Sequence, residues 1–208
     1  MLFKNRQHAG QLLVDVLRKY QSRDDTVVIG LARGGVVVAY EISQDLNLPL
    51  DIICARKIGA PSNHEFAIGA ITETGESILD NGLIKRLHVT DSYLKSEIRK
   101  EKEEAARRLT IYKNGRPSLN LKDKMVILVD DGIATGATMK AAIQSTKAKY
   151  CKGIIVAVPV APPDTLDEIR DSVDEVICLA APIFFQAVGQ FYENFSQTTD
   201  EEVIHLLL

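Results

Sequence analysis

The sequence predicts an α/β fold: a mainly parallel, twisted sheet flanked by helices. Five short aliphatic runs are typical of buried strands: residues 27–31, 50–55, 125–129, 153–158 and 175–179. Helical stretches alternate with these runs, and such alternation favours right-handed β–α–β crossovers and parallel strands. The length of 208 residues suits one domain. We expect residues 1–208 to form a core over about 25–180 and a small hood from the N-terminal segment and residues 180–200.

The helices follow from apolar spacing and from the residues that end each element. Helical patterns cover residues 6–20, 36–46, 91–112, 137–149 and 164–171. The first of these helices has Leu12, Leu13, Val16 and Leu17 on one face. Residues 56–66 contain Gly, Pro, Ser and Asn, which predict a loop. Residues 67–71 and 76–79 predict a hairpin around Thr74 and Gly75.

Charge and cysteine content narrow the class of protein. The chain has 25 Lys and Arg against 28 Asp and Glu, a formal net charge of −3. This balance argues against a general nucleic-acid binder. No signal core or bilayer-length apolar run is present, so we expect no membrane association. Three cysteines without a CxxC motif favour a reducing, cytoplasmic location over a disulfide framework.

The stretch from Val126 to Thr138 contains the strongest functional signal. Four apolar residues lead directly into the adjacent carboxylates of Asp130 and Asp131. Neighbouring carboxylates repel each other, so their pairing does not favour stability. Ionised carboxylates only accept hydrogen bonds, and a vicinal diol offers two O–H donors at a matching separation. The alternative is a simple turn with an Asx cap.

A helix begins immediately after this carboxylate pair. Gly136 lets the backbone approach a ligand, while Thr135 and Thr138 add hydroxyl donors. Free N–H groups and the helix dipole make such a helix start a phosphate site. The Gly-Lys-Ser/Thr ending of a Walker A loop and the GxGxxG dinucleotide fingerprint are both missing. A diol site beside a phosphate site describes ribose 5-phosphate.

VILVDDGIATGAT resembles the phosphoribosyl-pyrophosphate (PRPP) signature of the type I phosphoribosyltransferases. The turn Arg33-Gly34-Gly35 matches the pyrophosphate-binding loop of that family, and Arg56-Lys57 occupies the position of its mobile lid. This resemblance covers about residues 25–160. The whole chain is similar to a bacterial subgroup whose acceptor is not settled, with phrases such as ARKIGAP, EFAIGA and VPVAPP.

The resemblance implies a role for each matching residue. Asp130 and Asp131 would hold the ribose hydroxyls. The 5-phosphate would be held by Ala134, Thr135, Gly136, Ala137 and Thr138. Pyrophosphate would be held by Arg33, Gly34, Gly35, Arg56 and Lys57. Mg²⁺ is expected to bind through PRPP itself, with few or no protein ligands.

Simpler interpretations of the basic residues remain open. Arg33 is alternatively a surface arginine on a turn whose flexibility comes from the following glycines. Arg56 and Lys57 are alternatively the solvated end of a strand, where basic residues are common.

The catalytic and base-binding residues are less specifically indicated. Ala134 occupies the position where 6-oxopurine enzymes have an Asp that contacts the base, which argues against hypoxanthine or guanine salvage. We predict Lys57 and His64 as catalytic residues, His64 because histidine is the side-chain type that commonly serves as a general acid or base near neutral pH; a solvated loop histidine is the alternative. Phe184 and Phe185 are predicted to stack on the base, or else to belong to an aromatic hood core.

Together these features predict an enzyme that uses Mg-PRPP. It would transfer the ribosyl 5-phosphate group to a planar nitrogenous acceptor and release pyrophosphate, with inversion at C1 as the resemblance implies. The resemblance also implies a homodimer. Two alternatives are a non-catalytic PRPP or nucleotide sensor, and a hydrolase or phosphorylase that acts on PRPP or ribose phosphates.

Overall fold

A parallel five-stranded sheet forms the centre of the molecule, as the sequence predicts. The computed structural model describes residues 2–208, without the side chain of Glu65. The strands are β1 (Thr26–Leu31), β2 (Leu50–Ile53), β3 (Ala55–Ala60), β4 (Asn63–Thr72), β5 (Ser77–Leu79), β6 (Met125–Val129), β7 (Gly153–Val160) and β8 (Glu175–Ala180). The helices are α1 (Arg6–Leu17), α2 (Gly34–Leu46), α3 (Asn81–Arg86), α4 (Asp91–Lys113), α5 (Ala137–Lys147), α6 (Pro163–Arg170) and α7 (Asp200–Leu207).

The central sheet has the order β2-β1-β6-β7-β8, and every neighbouring pair is parallel. Side chains alternate between its two faces, as strand geometry requires. Val28 and Ile127 pack with α1 and α2, whereas Val27 and Leu128 pack with α5 and α6. Because both faces are covered, the strands are continuous apolar runs.

The face of α1 differs from the prediction. Leu13 and Leu17 are buried as expected, but Leu12 and Val16 are exposed. Gly10 and Val14 take their place in the contact with α2 and the sheet, whereas Ala9 packs in a cluster with Phe3 and Val160. Gly10 lies so close to α2 that an added Cβ would come within 2.9 Å of the Val38 carbonyl oxygen.

Residues 56–66 were predicted as a loop, and that prediction is wrong. They form most of an antiparallel hairpin in which β3 pairs with β4, and β5 pairs with β4 from the other side. Only the Pro61-Ser62 turn separates the first two strands. A small apolar core lies beneath this three-stranded sheet and is formed by Ile58, Ala60 and Ile68 with apolar residues of α3 and α4. Burial of these side chains favours strands over a loop. The predicted hairpin around Thr74 and Gly75 is present as β4–β5.

The hood joins the two ends of the chain. Phe3 forms an isolated parallel bridge with Tyr192, and the backbone N–H of Glu193 donates to the Phe3 carbonyl. Phe191 and Tyr192 are buried in a cluster with Phe3 and Val160, and the partly buried Phe195 packs against this cluster. The sequence did not predict α7, which follows the hood and packs against α2 and α4.

Candidate functional site

The site lies where β1 and β6 run side by side. Their register pairs Gly30 with Val129, so the turns that follow both strands leave the same edge of the sheet together. One turn begins α2 with Arg33-Gly34-Gly35, and the other holds Asp130 and Asp131. Ligands of open parallel sheets bind at such a position, beyond the carboxyl ends of adjacent strands.

Two glycines allow the turns to touch. A Cβ at Gly34 would overlap the Asp131 carboxylate, and a Cβ at Gly35 would lie 2.7 Å from the Val129 carbonyl oxygen. Any larger residue would therefore push the two turns apart. The peptide bond between Ala32 and Arg33 is cis. The predicted pyrophosphate turn and the predicted ribose carboxylates are therefore direct neighbours.

The two carboxylates differ in their partners. Asp130 Oδ1 accepts the backbone N–H of Asp131 at 2.9 Å, whereas Asp131 Oδ2 accepts Arg6 Nε at 2.6 Å. Burial raises the pKa of Asp130 well above its ordinary value, and the Asp131 charge raises it further. Burial also raises the pKa of Asp131, against an opposing effect of the Arg6 guanidinium. The site thus holds two adjacent buried carboxyl groups, whose ionised forms a ligand rich in hydrogen-bond donors would stabilise.

The predicted phosphate residues surround the start of α5. Gly136 caps the helix with φ +75°, a left-handed conformation that favours glycine. Thr165 Oγ1 of α6 donates to the Ala134 carbonyl at 2.8 Å and supports the loop from below. The first N–H groups of a helix lack intrahelical partners and lie at the positive end of its dipole. With Thr135 exposed beside them, they can bind a phosphate group.

The three predicted cations lie in different surroundings. Arg33 Nη1 is 3.5 Å from the Asp200 carboxylate at the start of α7. Arg56 forms an ion pair with Glu101, a buried residue of α4. Lys57 is exposed and lines a cavity of about 560 Å³. Thr135 and Ala137 of the predicted phosphate loop, residues 134–138, line the same cavity. The structure therefore brings Lys57 to the phosphate loop and holds Arg56 against a carboxylate.

His64 lies on the outer part of the hairpin. Its side chain is 63% exposed, and Nδ1 is 3.6 Å from the Glu97 carboxylate. It shares a cavity of about 420 Å³ with Arg56, Lys57 and Thr138. His64 and Lys57 thus face a common space beside the phosphate loop.

The two predicted base-stacking residues lie in the hood. Phe184 is 89% exposed. Phe185 packs against Phe191 with ring centroids 5.2 Å apart, as part of the aromatic cluster. Both residues line a separate surface concavity with Gln186 and Gln190, away from the cavities of the phosphate loop.

Three further residues support the site, and sequence patterns did not identify them. Arg6 binds Asp131, the Tyr192 hydroxyl donates to the Asp131 carbonyl at 2.6 Å, and Thr165 holds the phosphate loop. Arg6 and Tyr192 approach Asp131 through tertiary contacts across 125 and 61 positions of the chain. Contacts over such separations leave no periodic pattern within a single helix or strand.

The described part of the chain offers no preformed metal site. Within residues 2–208, leaving out the Glu65 side chain, no group of three or more His, Cys, Asp or Glu is placed to hold a metal ion. The described helices also include none that is long and apolar enough to cross a bilayer.

Comparison with known proteins agrees with this geometry. The family model for the phosphoribosyl transferase domain matches residues 2–195. A Mycobacterium tuberculosis protein named "Putative phosphoribosyl transferase Rv0571c" is 41% identical over 206 residues. The match covers 99% of this chain and 46% of the relative, so the chain spans about half the length of the curated relatives it matches.

Solved structures show the same architecture. TT1426 from Thermus thermophilus has a TM-score of 0.82 and 40% identity, covering all of this chain and 98% of the other. AQ2163 from Aquifex aeolicus shares the fold with a TM-score of 0.52 and 14% identity, over 84% of this chain and 73% of its own. Domain match, identity and fold lead to one conclusion: the chain belongs to the phosphoribosyl transferase domain family.

Proposed function

We propose that this phosphoribosyltransferase binds Mg-PRPP and transfers its ribosyl 5-phosphate group to a planar nitrogenous acceptor, releasing pyrophosphate. The observation that carries the proposal is the contact between the Gly34 turn and the Asp131 carboxylate, with the start of α5 following on the same chain. Two anion-binding sites thus flank a pair of hydrogen-bond acceptors. PRPP has the matching order of pyrophosphate, ribose diol and 5-phosphate.

The reaction breaks the bond between C1 and the pyrophosphate oxygen and forms a bond between C1 and an acceptor nitrogen. The leaving oxygen keeps the electron pair, and the nitrogen supplies the new one from the opposite face, which inverts C1. Where the acceptor nitrogen has a hydrogen, its proton would pass to a general base, the role predicted for His64, or to water. Positive charge develops on the ribose as pyrophosphate departs. Asp130 and Asp131 would stabilise that charge, while Arg33 and Lys57 would stabilise the pyrophosphate.

The chain suits a metal that arrives with its substrate. Mg²⁺ keeps several waters and usually binds through substrate phosphates and one or two carboxylates. Asp130 and Asp131 offer oxygen donors of this hard type, and the described residues contain no larger ligand cluster. Bound through PRPP, Mg²⁺ would neutralise charge on the leaving pyrophosphate.

One observation favours a second candidate, binding of PRPP without transfer. His64, the predicted general acid or base, is mostly exposed and lies beside Glu97, outside the Asp130–Asp131 pair. A PRPP sensor needs the ribose and phosphate contacts but no proton-transfer group. The two functions differ in whether PRPP is consumed.

Thermal unfolding with Mg-PRPP is the first test, beside ATP, NAD and ribose 5-phosphate. At one hundred times the dissociation constant, a single site stabilises a protein by about 2.7 kcal/mol, or roughly 5–10 °C at this length. A shift specific to PRPP, followed by acceptor-dependent pyrophosphate release, supports transfer. A shift without consumption supports a sensor, and acceptor-independent release supports a hydrolase. No shift at millimolar PRPP rejects the proposal.

The proposal extends to partners and location. We propose a homodimer, on the resemblance to the type I enzymes, and sedimentation velocity tests it. We also propose a cytoplasmic location, which three free thiols support. Small molecules, rather than nucleic acid or membrane, would then be the ligands of the site.

A further inference from the structure

Arg6 is a cation at the site that the proposed reaction does not use directly. It is the first residue of α1 and reaches the end of β6, where Nε donates to Asp131 Oδ2 at 2.6 Å. Its Nη1 donates to the Ser196 carbonyl at 2.7 Å. The guanidinium carbon also lies 3.9 Å from the centre of the Phe195 ring. The hood therefore fixes both the plane and the direction of this guanidinium.

Stability alone does not account for this pair. The side chains of Arg6 and Asp131 are only 11% and 14% exposed. Removing two charges from water carries a desolvation cost that can exceed their attraction, so a buried ion pair is weak evidence for stability. What the contact supplies is a defined orientation of one carboxylate.

Asp131 is held at two points. Arg6 fixes Oδ2, and the Tyr192 hydroxyl donates to the backbone carbonyl at 2.6 Å. Of the two neighbouring carboxylates, Arg6 therefore bonds only to that of Asp131. Asp130 Oδ1 accepts the backbone N–H of Asp131 instead. An ionised carboxylate has about four acceptor positions. One bond from Arg6 thus leaves acceptor capacity on Asp131 for a ligand.

We propose that Arg6 is a positioning residue that keeps the Asp131 carboxylate turned so that it can accept a ribose hydroxyl. This inference rests on the proposed PRPP function and assigns that site a residue from the N-terminal helix. Arg6 acts through Asp131 and through its own anchors, Ser196 and Phe195. A lysine would keep the charge but lose the planar, multiply bonded contact.

The first test is calorimetric titration of Mg-PRPP into the wild-type chain, Arg6→Gln, Arg6→Lys and Arg18→Gln. Arg18 is a matched control because it is 59% exposed and pairs only with Asp15 among the ion pairs of the described residues. We expect Arg6→Gln to raise Kd about tenfold or more, Arg6→Lys to raise it less, and Arg18→Gln to leave it unchanged. Wild-type affinity in Arg6→Gln overturns the proposal. Should Arg6→Gln fail to fold, Arg6→Lys decides the same question.

A double-mutant cycle separates positioning from general support of the fold. In an Asp131→Asn background, Arg6→Gln should have little further effect on Kd, because its target charge is gone. Equal effects of Arg6→Gln in both backgrounds would show that Arg6 does not act through Asp131.

A third measurement does not depend on PRPP. Crystal structures of the ligand-free wild-type chain and of Arg6→Gln can be compared for the orientation of the Asp131 carboxylate, which Arg6 contacts through Oδ2. We expect the carboxylate to turn away from its wild-type position in Arg6→Gln, and an unchanged orientation overturns the positioning role. Failure of the wild-type chain to bind Mg-PRPP instead rejects the proposed function, so the two failures are distinguishable.

Discussion

The loop from Asp130 to Thr138 and the hairpin β3–β4 hold their proposed ligand-binding groups in opposite ways. The position of the loop is fixed by its backbone, because the loop connects the buried strand β6 to α5 and Gly136 caps that helix. The hydroxyl of Thr165 also donates a hydrogen bond to the Ala134 carbonyl. The hairpin presents long side chains, of which Arg56 is paired with Glu101 and Lys57 is exposed. The groups of the loop are therefore preorganised for binding, whereas the side chains of the hairpin must become ordered when a ligand binds.

The difference suggests a division of labour between the regions. Preorganised donors and acceptors bind without the entropic cost of ordering, so the loop should dominate affinity. Cations on exposed side chains lose entropy when they engage, but they can follow a leaving group as it moves. The hairpin should therefore contribute more to turnover than to binding. Substitutions in each region test this division.

Removing both loop carboxylate charges should have the largest effect. We expect Asp130→Asn with Asp131→Asn to weaken Mg-PRPP binding by more than about 100-fold, because each hydrogen bond to a charged group contributes about 1.5–3 kcal/mol. The fold should remain intact by circular dichroism. Isothermal titration calorimetry provides the measurement.

The control for this pair removes two exposed carboxylates. Asp15→Asn with Asp167→Asn has the same charge change, at side chains that are 72% and 70% exposed. It should bind Mg-PRPP normally. Normal binding by the Asp130–Asp131 variant as well would end the ribose assignment and the contrast between the regions.

Separating the two turns should have the next largest effect. Gly34→Ala places a Cβ on the Asp131 carboxylate. Overpacking of this kind costs typically 1–3 kcal/mol. We therefore expect Mg-PRPP affinity to fall about tenfold or more in the same titration. Gly82→Ala in α3 is the control, since its nearest contact would be 3.2 Å away; equal losses in both variants would contradict the role of close approach.

Substitutions of the two neighbouring cations on the hairpin should have different effects, one on turnover and the other on stability. Lys57→Ala should lower kcat/KM for pyrophosphate release about tenfold, the value of one charge-assisted contact, with little change in Tm. Arg56→Ala should lower Tm, because it removes the guanidinium bound to buried Glu101. Lys122→Ala, at an exposed lysine, is the control for Lys57. A large Tm loss with full activity in Lys57→Ala would make that lysine structural.

The smallest effect concerns stability without ligand. Burial and the Asp131 charge raise the pKa of Asp130 in the folded state, so the folded chain binds the proton more tightly than the unfolded chain. The stabilisation of the folded state by this proton is complete below the unfolded pKa and is lost as pH rises through the folded pKa. Asn has no carboxyl proton to lose, so Asp130→Asn removes the loss of stability at neutral pH.

We therefore expect Asp130→Asn to raise the Tm of the ligand-free protein at pH 7.5. Each pKa unit corresponds to about 1.4 kcal/mol, which is roughly 3–5 °C for a chain of this size. The gain should shrink toward pH 4 in differential scanning fluorimetry. Asp131→Asn is the comparison, since it leaves Arg6 buried without its partner and should not gain. A Tm unchanged by Asp130→Asn across this range would contradict the raised pKa.

Much of the fold could be predicted from local sequence. Buried parallel strands such as β6 and β7 are short aliphatic runs, and α4 has a clear apolar stripe that ends at Tyr112. The hairpin was missed because its glycines and polar residues resemble a loop, while the small apolar core that favours it depends on α3 and α4. Burial against a distant element is a tertiary property that local patterns do not contain.

The candidate site divides in the same manner. The carboxylates and the phosphate loop could be predicted because one continuous segment contains both, and the Gly34 turn lies beside them through sheet register. The structure shows where these residues lie, and their binding roles, like those of His64, Phe184 and Phe185, remain predictions. Arg6 could not be found because the hood, rather than any sequence motif, directs it to Asp131.

The bridge between Phe3 and Tyr192 has a consequence for biosynthesis. Arg6 meets Asp131 across 125 positions and Ser196 across 190, so the guanidinium reaches its final position only after Ser196 has left the ribosome. At roughly 5–20 residues per second, synthesis of the intervening segment takes about ten seconds or more. During that interval β1 and β6 can pair, while the nascent acidic pair still lacks its cation. Assembly of the proposed binding site therefore waits until Ser196, the residue whose carbonyl holds Arg6, has been synthesised.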